Sequence, residues 1–180
     1  MKKIIVGLGN PGIKYAKTRH NAGWLLIDRL AIKLAQENGQ KISWRTKKDW
    51  SAEIAEIGDI LLIKPQTMMN DSGRSVRAIL DYYNLLTEDL GNSLLIIHDE
   101  LDLPMGTARW STDSRSAGHN GVQSIIDHLG TQKFNRLRIG IQPATKPTNT
   151  VDYVLKNFSA AELKNLKETD LTEVKNFINN

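Results

Sequence analysis

The 180-residue sequence contains no cysteine. This absence excludes disulfides, thiolate nucleophiles and cysteine-ligated zinc, and it favours a protein of the reducing cytoplasm. Long apolar runs are missing as well. The run that follows Lys2 and Lys3 is too short for a signal peptide, and no stretch approaches the length of a membrane span. We therefore expect no membrane partner.

Several catalytic motifs are also missing. No Gly-Lys-Ser/Thr completes a P-loop, and no Gly-x-Ser-x-Gly marks a serine nucleophile. Neither His-x-x-His nor His-Glu-x-x-His spacing is present, so we expect no metal and no other cofactor. The weaker candidates for hard-metal ligands are His98, Asp99, Glu100, Asp102 and His119.

The composition is that of an ordinary globular protein, with 40% apolar and 24% charged residues. We expect a single domain over residues 1–180. The net charge of +4 permits a polyanionic partner without requiring one. One basic cluster could face phosphates or form a solvated strand edge, and the sequence leaves both open. It consists of Lys41, Arg45, Lys47 and Lys48 beside Trp44 and Trp50.

The N-terminal region predicts a strand, a polar loop and a helix in that order. A short β-branched run at residues 4–8 is followed at once by GNPG, which indicates a buried strand and a turn. Apolar residues recur at helical spacing over residues 24–36. The polar loop between them is therefore expected at the carboxyl end of a strand, where open α/β sheets hold ligands.

Alternating strands and helices continue along the chain and predict a three-layer α/β/α sandwich around a mixed, twisted sheet. Strands are predicted at residues 52–57, 60–64, 93–97, 107–111 and 137–141, and helices through residues 76–83 and 122–129. Ser159 and Glu162 form a capping-box pattern. A C-terminal helical segment is expected from about residue 159, with a break near Thr169 and Asp170.

The GLGNPG motif at residues 7–12 also matches the Gly-x-Gly-x-x-Gly dinucleotide fingerprint. Pro11 removes an amide donor from the turn, and the following segment is polar where the fingerprint requires a helix. A nucleotide-dependent oxidoreductase is therefore only an alternative hypothesis.

His20 and Asp99 are candidates for acid–base chemistry. A helix start favours the neutral form of His20, which accepts a proton. Asp99 follows another predicted buried strand, and an adjacent carboxylate would orient the imidazole and stabilise its protonated form. Three loop asparagines are predicted at the same end of the sheet, where carboxamides could bind peptide amides or an oxyanion. These are Asn10, Asn70 and Asn120.

Together these motifs resemble bacterial-type peptidyl-tRNA hydrolases, in order and over nearly the whole chain. The resemblance is carried by GLGNPG (residues 7–12), Tyr15, TRHN (18–21), KPQTMMNDSG (64–73), HDELDLP (98–104), GHNG (118–121) and RLRIG (136–140). It implies a monomeric, metal-independent enzyme that cleaves the ester between a peptide and the terminal ribose of tRNA, and so recycles tRNA from prematurely released peptidyl-tRNA.

The resemblance also implies roles for individual residues. His20 corresponds to the base that activates water, Asp99 to the group that orients it, and Asn10 to the position that distinguishes peptidyl from free aminoacyl substrates. Substrate- and tRNA-contacting positions correspond to Tyr15, Met68, Asn70 and Asn120, and cations near tRNA phosphate correspond to Arg109 and Arg138.

Two positions depart from the family pattern. Met68 stands where an aromatic residue is usual, and Ser111 stands where some members carry a second lysine. A non-catalytic RNA-binding relative on the same fold, such as a splicing accessory factor, is the other alternative. The presence of Asn10, His20, Asp99 and Asn120 disfavours it.

Overall fold

The structure is a computed structural model that describes residues 2–86, 90–143, 145 and 147–180. Strands and helices alternate along the chain. The strands are β1 (Lys3–Gly7), β2 (Arg45–Lys47), β3 (Ala52–Ile57), β4 (Ile60–Pro65), β5 (Leu94–Pro104), β6 (Ala108–Ser111) and β7 (Asn135–Gln142). The helices are α1 (Ala22–Glu37), α2 (Ser72–Tyr82), α3 (Leu90–Ser93), α4 (Asn120–Leu129), α5 (Thr150–Val154), α6 (Ala160–Glu168) and α7 (Thr172–Asn179).

All seven strands form one sheet in the order β2-β3-β4-β1-β5-β7-β6. The central strands β4, β1, β5 and β7 are parallel, whereas β2, β3 and β6 join by antiparallel pairing. The predicted mixed sheet is thus confirmed. Because the central strands run the same way, the loops that follow β1, β4 and β5 meet at one edge of the sheet.

Helices cover both faces of the sheet. Alternate residues of β1 supply the two cores: Ile5 packs with α1, α6 and α7, whereas Ile4 and Val6 pack with α2 and α4. This alternation follows from the two-residue period of a strand. The predicted three-layer α/β/α sandwich is therefore confirmed.

Glycines let α1 lie directly against β1. A Cβ on Gly7 would come within 2.4 Å of the Gly23 carbonyl oxygen, and one on Gly23 would come within 2.3 Å of the Ile97 carbonyl oxygen. A Cβ on Gly9 would contact the Trp24 ring at 2.7 Å. These contacts give Gly7 and Gly9 of the Gly-x-Gly-x-x-Gly match a packing role, without any nucleotide.

Several predicted boundaries need correction. β5 continues to Pro104, seven residues beyond Ile97, because it keeps pairing with β7 past the end of β1. Helix α2 begins at Ser72, ahead of its first predicted apolar position. The short helix α5 was not predicted, and of the basic cluster only Arg45 and Lys47 lie in the edge strand β2.

The C-terminal segment is helical and begins with a capping box. Ser159 Oγ accepts from the amide of Glu162, and the Glu162 carboxylate accepts from the amide of Ser159, which completes the capping box. The helical segment is interrupted between Glu168 and Thr172, near the predicted break. Among the described residues, no helix is both long and apolar enough to cross a bilayer.

Candidate active site

A pocket of about 450 Å³ opens at the carboxyl ends of β1, β4 and β5. Its deepest groups come from the loop after β1, from β5 and from the segment before α4. Its outer groups come from the loop after β4 and from α5. The lining side chains used below are Asn10, His20, Met68, Met69, Asn70, Asp99, Glu100, Asp102, His119, Asn120, Val151 and Leu155.

His20 and Asp99 meet in this pocket although 79 residues separate them. His20 Nδ1 lies 3.0 Å from Asp99 Oδ1 and 3.1 Å from Asp99 Oδ2. A carboxylate only accepts hydrogen bonds, so Nδ1 of His20 carries the ring proton and donates a hydrogen bond to Asp99. Nε2 then holds the lone pair, and among the described residues it has no protein partner. The ring is therefore oriented as a base toward the pocket.

A second histidine binds the same carboxylate. His119 Nε2 lies 3.0 Å from Asp99 Oδ1, and His119 Nδ1 accepts from the amides of Gly121 at 3.1 Å and Val122 at 3.3 Å. Because the two amides are donors, the proton of this ring must sit on Nε2 and point at Asp99. His119 thus caps the start of α4 and clamps Asp99. Sequence reasoning considered His119 only as a metal ligand and missed this role.

The shared carboxylate controls the protonation of its neighbours. Burial acts to raise the pKa of Asp99, but attraction to His20 and His119 and their hydrogen bonds hold that pKa well below its usual range. Burial acts to lower the pKa of His20, yet the charge and hydrogen bond of Asp99 outweigh it and raise the pKa above 6.5. The expectation that a helix start keeps His20 neutral is therefore wrong in direction, because the carboxylate contact dominates.

His98 lies behind the cluster and is buried. Its Nδ1 donates to the backbone carbonyl of Asp99 at 2.7 Å, and its ring meets that of His119 edge-on at 4.7 Å. Within the described ranges its Nε2 has no hydrogen-bond partner. Burial, reinforced by His119, lowers the pKa of His98 to about 3. His98 therefore stays uncharged at neutral pH and supports the backbone of Asp99.

Asn10 is held in one orientation by two neighbours. Its Oδ1 accepts from the amide of Met69 at 2.7 Å, so its Nδ2 donors are directed elsewhere, toward the pocket. The buried Asn21 bonds both backbone groups of Asn10: its Oδ1 accepts from the Asn10 amide at 2.9 Å and its Nδ2 donates to the Asn10 carbonyl at 3.0 Å. Asn21 is a positioning residue that sequence reasoning did not assign, although it follows His20 directly.

A sequence model of the peptidyl-tRNA hydrolase family matches residues 4–179. The chain belongs to the peptidyl-tRNA hydrolase family. It is accordingly an ester hydrolase of translation that acts on peptidyl-tRNA and recycles tRNA. The resemblance drawn from the motifs is confirmed.

The alignments with similar proteins span most of this chain and most of each relative. The peptidyl-tRNA hydrolase of Lactiplantibacillus plantarum is 44% identical over 174 residues, 94% of this chain and 88% of that protein. That of Dichelobacter nodosus is 45% identical over 173 residues, 94% of this chain and 86% of that protein.

Solved structures of the family share the fold. A crystal structure of a peptidyl-tRNA hydrolase complex with N-propanol has a TM-score of 0.83 at 32% identity and covers 99% of this chain and 89% of that one. The Acinetobacter baumannii peptidyl-tRNA hydrolase has a TM-score of 0.78 at 34% identity and covers 93% of this chain and 82% of that one.

The pocket of this peptidyl-tRNA hydrolase family member has an exposed rim. Met68 is 47% exposed, and Asn70 and Asn120 project carboxamides from two different walls. Val151 in α5 and Leu155 directly after it add exposed apolar surface that sequence reasoning missed, because a five-residue helix leaves no periodic signal. The sequence-predicted Met68, Asn70 and Asn120 thus join Asn10, His20 and Asp99 around one cavity.

Three predicted residues lie outside the cavity lining. Tyr15 is half-buried in a 3-10 turn after the GNPG segment, with Lys14 Nζ 4.8 Å from its ring centre. Arg109 is exposed on β6, directly opposite Arg138 on β7. Arg138 is bonded to the Glu100 carboxylate at 2.8 and 3.0 Å. The positive charge of Arg138 is therefore partly neutralised by Glu100.

The cluster also contains a possible metal-ligand set. His20, Asp99 and His119 each offer a ligand atom, and these atoms lie within 4.8 Å of one another. A metal at that point would have to displace the proton on His119 Nε2 and the hydrogen bonds that both rings make to Asp99. The hydrogen-bonded arrangement matches a base and its orienting groups better than a metal centre.

Proposed function

We propose that His20 acts as the general base that removes a proton from water, which then attacks the ester carbonyl of peptidyl-tRNA. Nε2 of His20 faces the cavity with its lone pair, while Nδ1 donates to Asp99. As the water proton moves to Nε2, the ring becomes positively charged, and the Asp99 carboxylate at 3.0 Å stabilises that charge. The oriented His20–Asp99 pair is the observation that carries the proposal.

Asn10 supplies a fixed donor for the substrate. Because Met69 occupies its Oδ1, the side chain presents N–H groups to the cavity and no acceptor. Such a donor binds the carbonyl oxygen of a peptide bond and disfavours the ammonium of a free aminoacyl group, which is itself a donor. We infer that this preference selects peptidyl-tRNA over aminoacyl-tRNA.

The rim residues bind the parts of the substrate that do not react. Asn70 and Asn120 offer uncharged donors and acceptors suited to a ribose or to peptide amides, and Met68 offers apolar contact area. Arg109, Arg138 and Tyr15 lie farther out, where they can contact the tRNA itself, as the family resemblance implies. Phosphate contacts of this kind add affinity without reading sequence, so one enzyme can serve many tRNAs.

The chain is proposed to act as a monomer in the cytoplasm. Every group named in the mechanism comes from one copy of the chain, so the site needs no second subunit. The lack of cysteine agrees with a reducing compartment. Sedimentation of the active enzyme would test directly whether it is a monomer.

The decisive experiment is single-turnover cleavage of an N-acetylated aminoacyl-tRNA beside its free-amine counterpart. His20→Ala should reduce the cleavage rate by roughly 10²- to 10⁴-fold, the usual contribution of a general base, with tRNA affinity nearly unchanged. His128→Ala is the matched control, since His128 is exposed on α4 outside the cavity lining. A His20→Ala enzyme with a near-normal rate would overturn the proposal.

A further inference from the structure

A turn outside the catalytic cluster carries positive charge at the same end of the sheet. We call Lys47 and Lys48 the basic turn. β2 pairs antiparallel with β3, and β3 pairs antiparallel with β4, so β2 runs in the same direction as β4. Lys47 is opposite Ala52, which is opposite Pro65 at the carboxyl end of β4. The basic turn is therefore level with the loop that carries Met68 and Asn70.

The residues that follow the basic turn are anchored to the end of α2 and to the loop after β4. The Trp50 ring packs against Tyr82 at 4.9 Å and Tyr83 at 6.0 Å between ring centres. The Ser51 carbonyl accepts from the amide of Gln66 at 2.7 Å. Gln66 precedes Met68 by two residues, a span of no more than about 7 Å of chain. The lysines thus sit on a fixed support next to the rim.

The two lysines are available for an external anion. Both are exposed, and among the described residues neither makes an ion pair with a carboxylate; Lys47 Nζ instead lies 5.6 Å from the Trp50 ring centre. The neighbouring cation Arg45 differs, because it is bonded to Glu56 at 2.6 Å. Asp49 is the single acid in the segment 41–50, so the segment keeps a net positive charge.

The opposite wall of the cavity has the reverse charge. β5 contributes Asp99, Glu100 and Asp102 to the lining, and Arg138, which lies outside the lining, is bonded to Glu100. A polyanion whose 3′ end occupies the cavity is attracted to the exposed lysines on the side of β2 as well as to the cations at the β6 edge. β2 lies three strand spacings from β1, or about 14 Å, which is within reach of the nucleotides that adjoin the terminal one.

We propose that the basic turn binds phosphates of the tRNA substrate at the β2 edge of the sheet. This surface is additional to Arg109 and Arg138, which lie at the β6 edge. The proposal rests on the proposed function, because it assumes that the terminal ribose of tRNA occupies the cavity. It assigns to the basic turn a role in substrate affinity and none in the chemical step.

The test compares Lys47→Ala/Lys48→Ala with a control that loses the same charge, Lys164→Ala/Lys167→Ala, on the exposed surface of α6. Single-turnover cleavage of N-acetylated aminoacyl-tRNA is measured at varied enzyme concentration and salt. For the basic-turn variant, the half-saturating concentration should rise and its salt dependence should weaken. A plot of log affinity against log salt has a negative slope. The magnitude of that slope should decrease by roughly 1.4 to 1.8, the value for two lost phosphate contacts. The rate at saturation should match that of the parent enzyme.

Two further arms make the outcome unambiguous. Lys47→Arg/Lys48→Arg should restore the parent slope, because arginine also neutralises phosphate. Anisotropy titration with deacylated tRNA measures the same slope without catalysis, so the surface is tested even if the proposed function fails. A slope equal to that of the Lys164/Lys167 control would overturn the proposal, and so would a lower rate at saturation.

Discussion

The pocket combines a buried hydrogen-bonded cluster with an exposed, unbonded rim. In the cluster, Asp99 is 4% exposed and receives hydrogen bonds from His20 and His119. On the rim, Met68 is 47% exposed. Asn70 and Asn120 on the rim make no side-chain hydrogen bond to the described residues.

This difference separates two tasks of the enzyme. The ester is the same in every substrate. A buried cluster whose hydrogen bonds fix each histidine ring can act on that ester without rearranging its side chains. The peptide and the tRNA vary, and an exposed rim of apolar and carboxamide groups can accommodate that variation. Substitutions in the cluster should therefore reduce the cleavage rate, and substitutions on the rim should change substrate affinity.

Asp99→Asn should produce the largest effect in this comparison. It removes the charge that stabilises protonated His20 and allows the wrong tautomer of the ring, so the rate should fall by roughly 10²- to 10⁴-fold. The acidic limb of the pH–rate profile should also move. In the parent enzyme, activity should rise with pH as His20 loses its proton, and Asp99 raises the pKa of that group above 6.5. Without Asp99 only burial acts on this pKa, so the limb should shift to lower pH.

Asp102→Asn provides the control for this prediction. Asp102 is an exposed acid on the same wall of the cavity. Its replacement should leave the rate and the acidic limb almost unchanged. Equal losses in the two variants would mean that the charge of the wall, and not the His20 hydrogen bond, carries the effect.

His98 should make the folded state sensitive to acid. Below pH 6.5 the unfolded chain protonates this histidine, whereas the folded protein does so only near its pKa of about 3, so stability falls as pH falls through that window. The loss between pH 6.5 and pH 4 should be about 3 kcal/mol. Denaturant titrations of His98→Phe should show this part of the loss removed, with about 1 kcal/mol lower stability at neutral pH because one hydrogen bond is gone.

The control for His98 is His128→Phe, which alters an exposed histidine. It should retain the acid sensitivity of the parent protein. If His98→Phe loses as much stability on acidification as the parent does, the sensitivity has another source.

His119→Asn should have an intermediate effect on the rate. Asparagine preserves a cap for the amides at the start of α4 but is too short to reach Asp99. The rate should fall roughly tenfold, because a hydrogen bond to a charged group contributes about 1.5 kcal/mol. Asp99 would then interact more strongly with His20, so the acidic limb should move to higher pH, opposite to its movement in Asp99→Asn. If the acidic limb of the pH–rate profile does not move, His119 acts only as the cap of α4.

The smallest effects are expected on the rim. Met68→Ala removes partly exposed apolar contact area and should raise KM by roughly three- to tenfold with kcat unchanged. Met68→Phe introduces an aromatic residue at the position where the family resemblance implies one, and it should lower KM. Ile13→Ala, at an exposed apolar residue outside the cavity lining, is the matched control. A fall in kcat for Met68→Ala would erase the distinction between rim and cluster.

Local sequence patterns predicted those helices, strands and turns whose formation depends on residues close together in the chain. Glycine punctuation after residues 4–8 marked β1 and its turn, and the spacing of Ser159 and Glu162 marked the start of α6. The strand ends also predicted that His20 and Asp99 would meet, because parallel strands end at one edge of a sheet. Nothing local indicated that β5 would extend past Ile97, since that depends on its pairing with β7.

The amino-acid sequence by itself determined the mixed α/β architecture, the family and the residues able to do acid–base chemistry, because periodicity, turn residues and side-chain types are properties of the chain. Only the tertiary structure decided how those residues are tuned. The clamp of His119 on Asp99, the orientation of Asn10 and the raised pKa of His20 each require groups from separate elements to come within about 3 Å in a buried site. Hydrogen bonds and charges act at that range in space, whatever the separation along the chain.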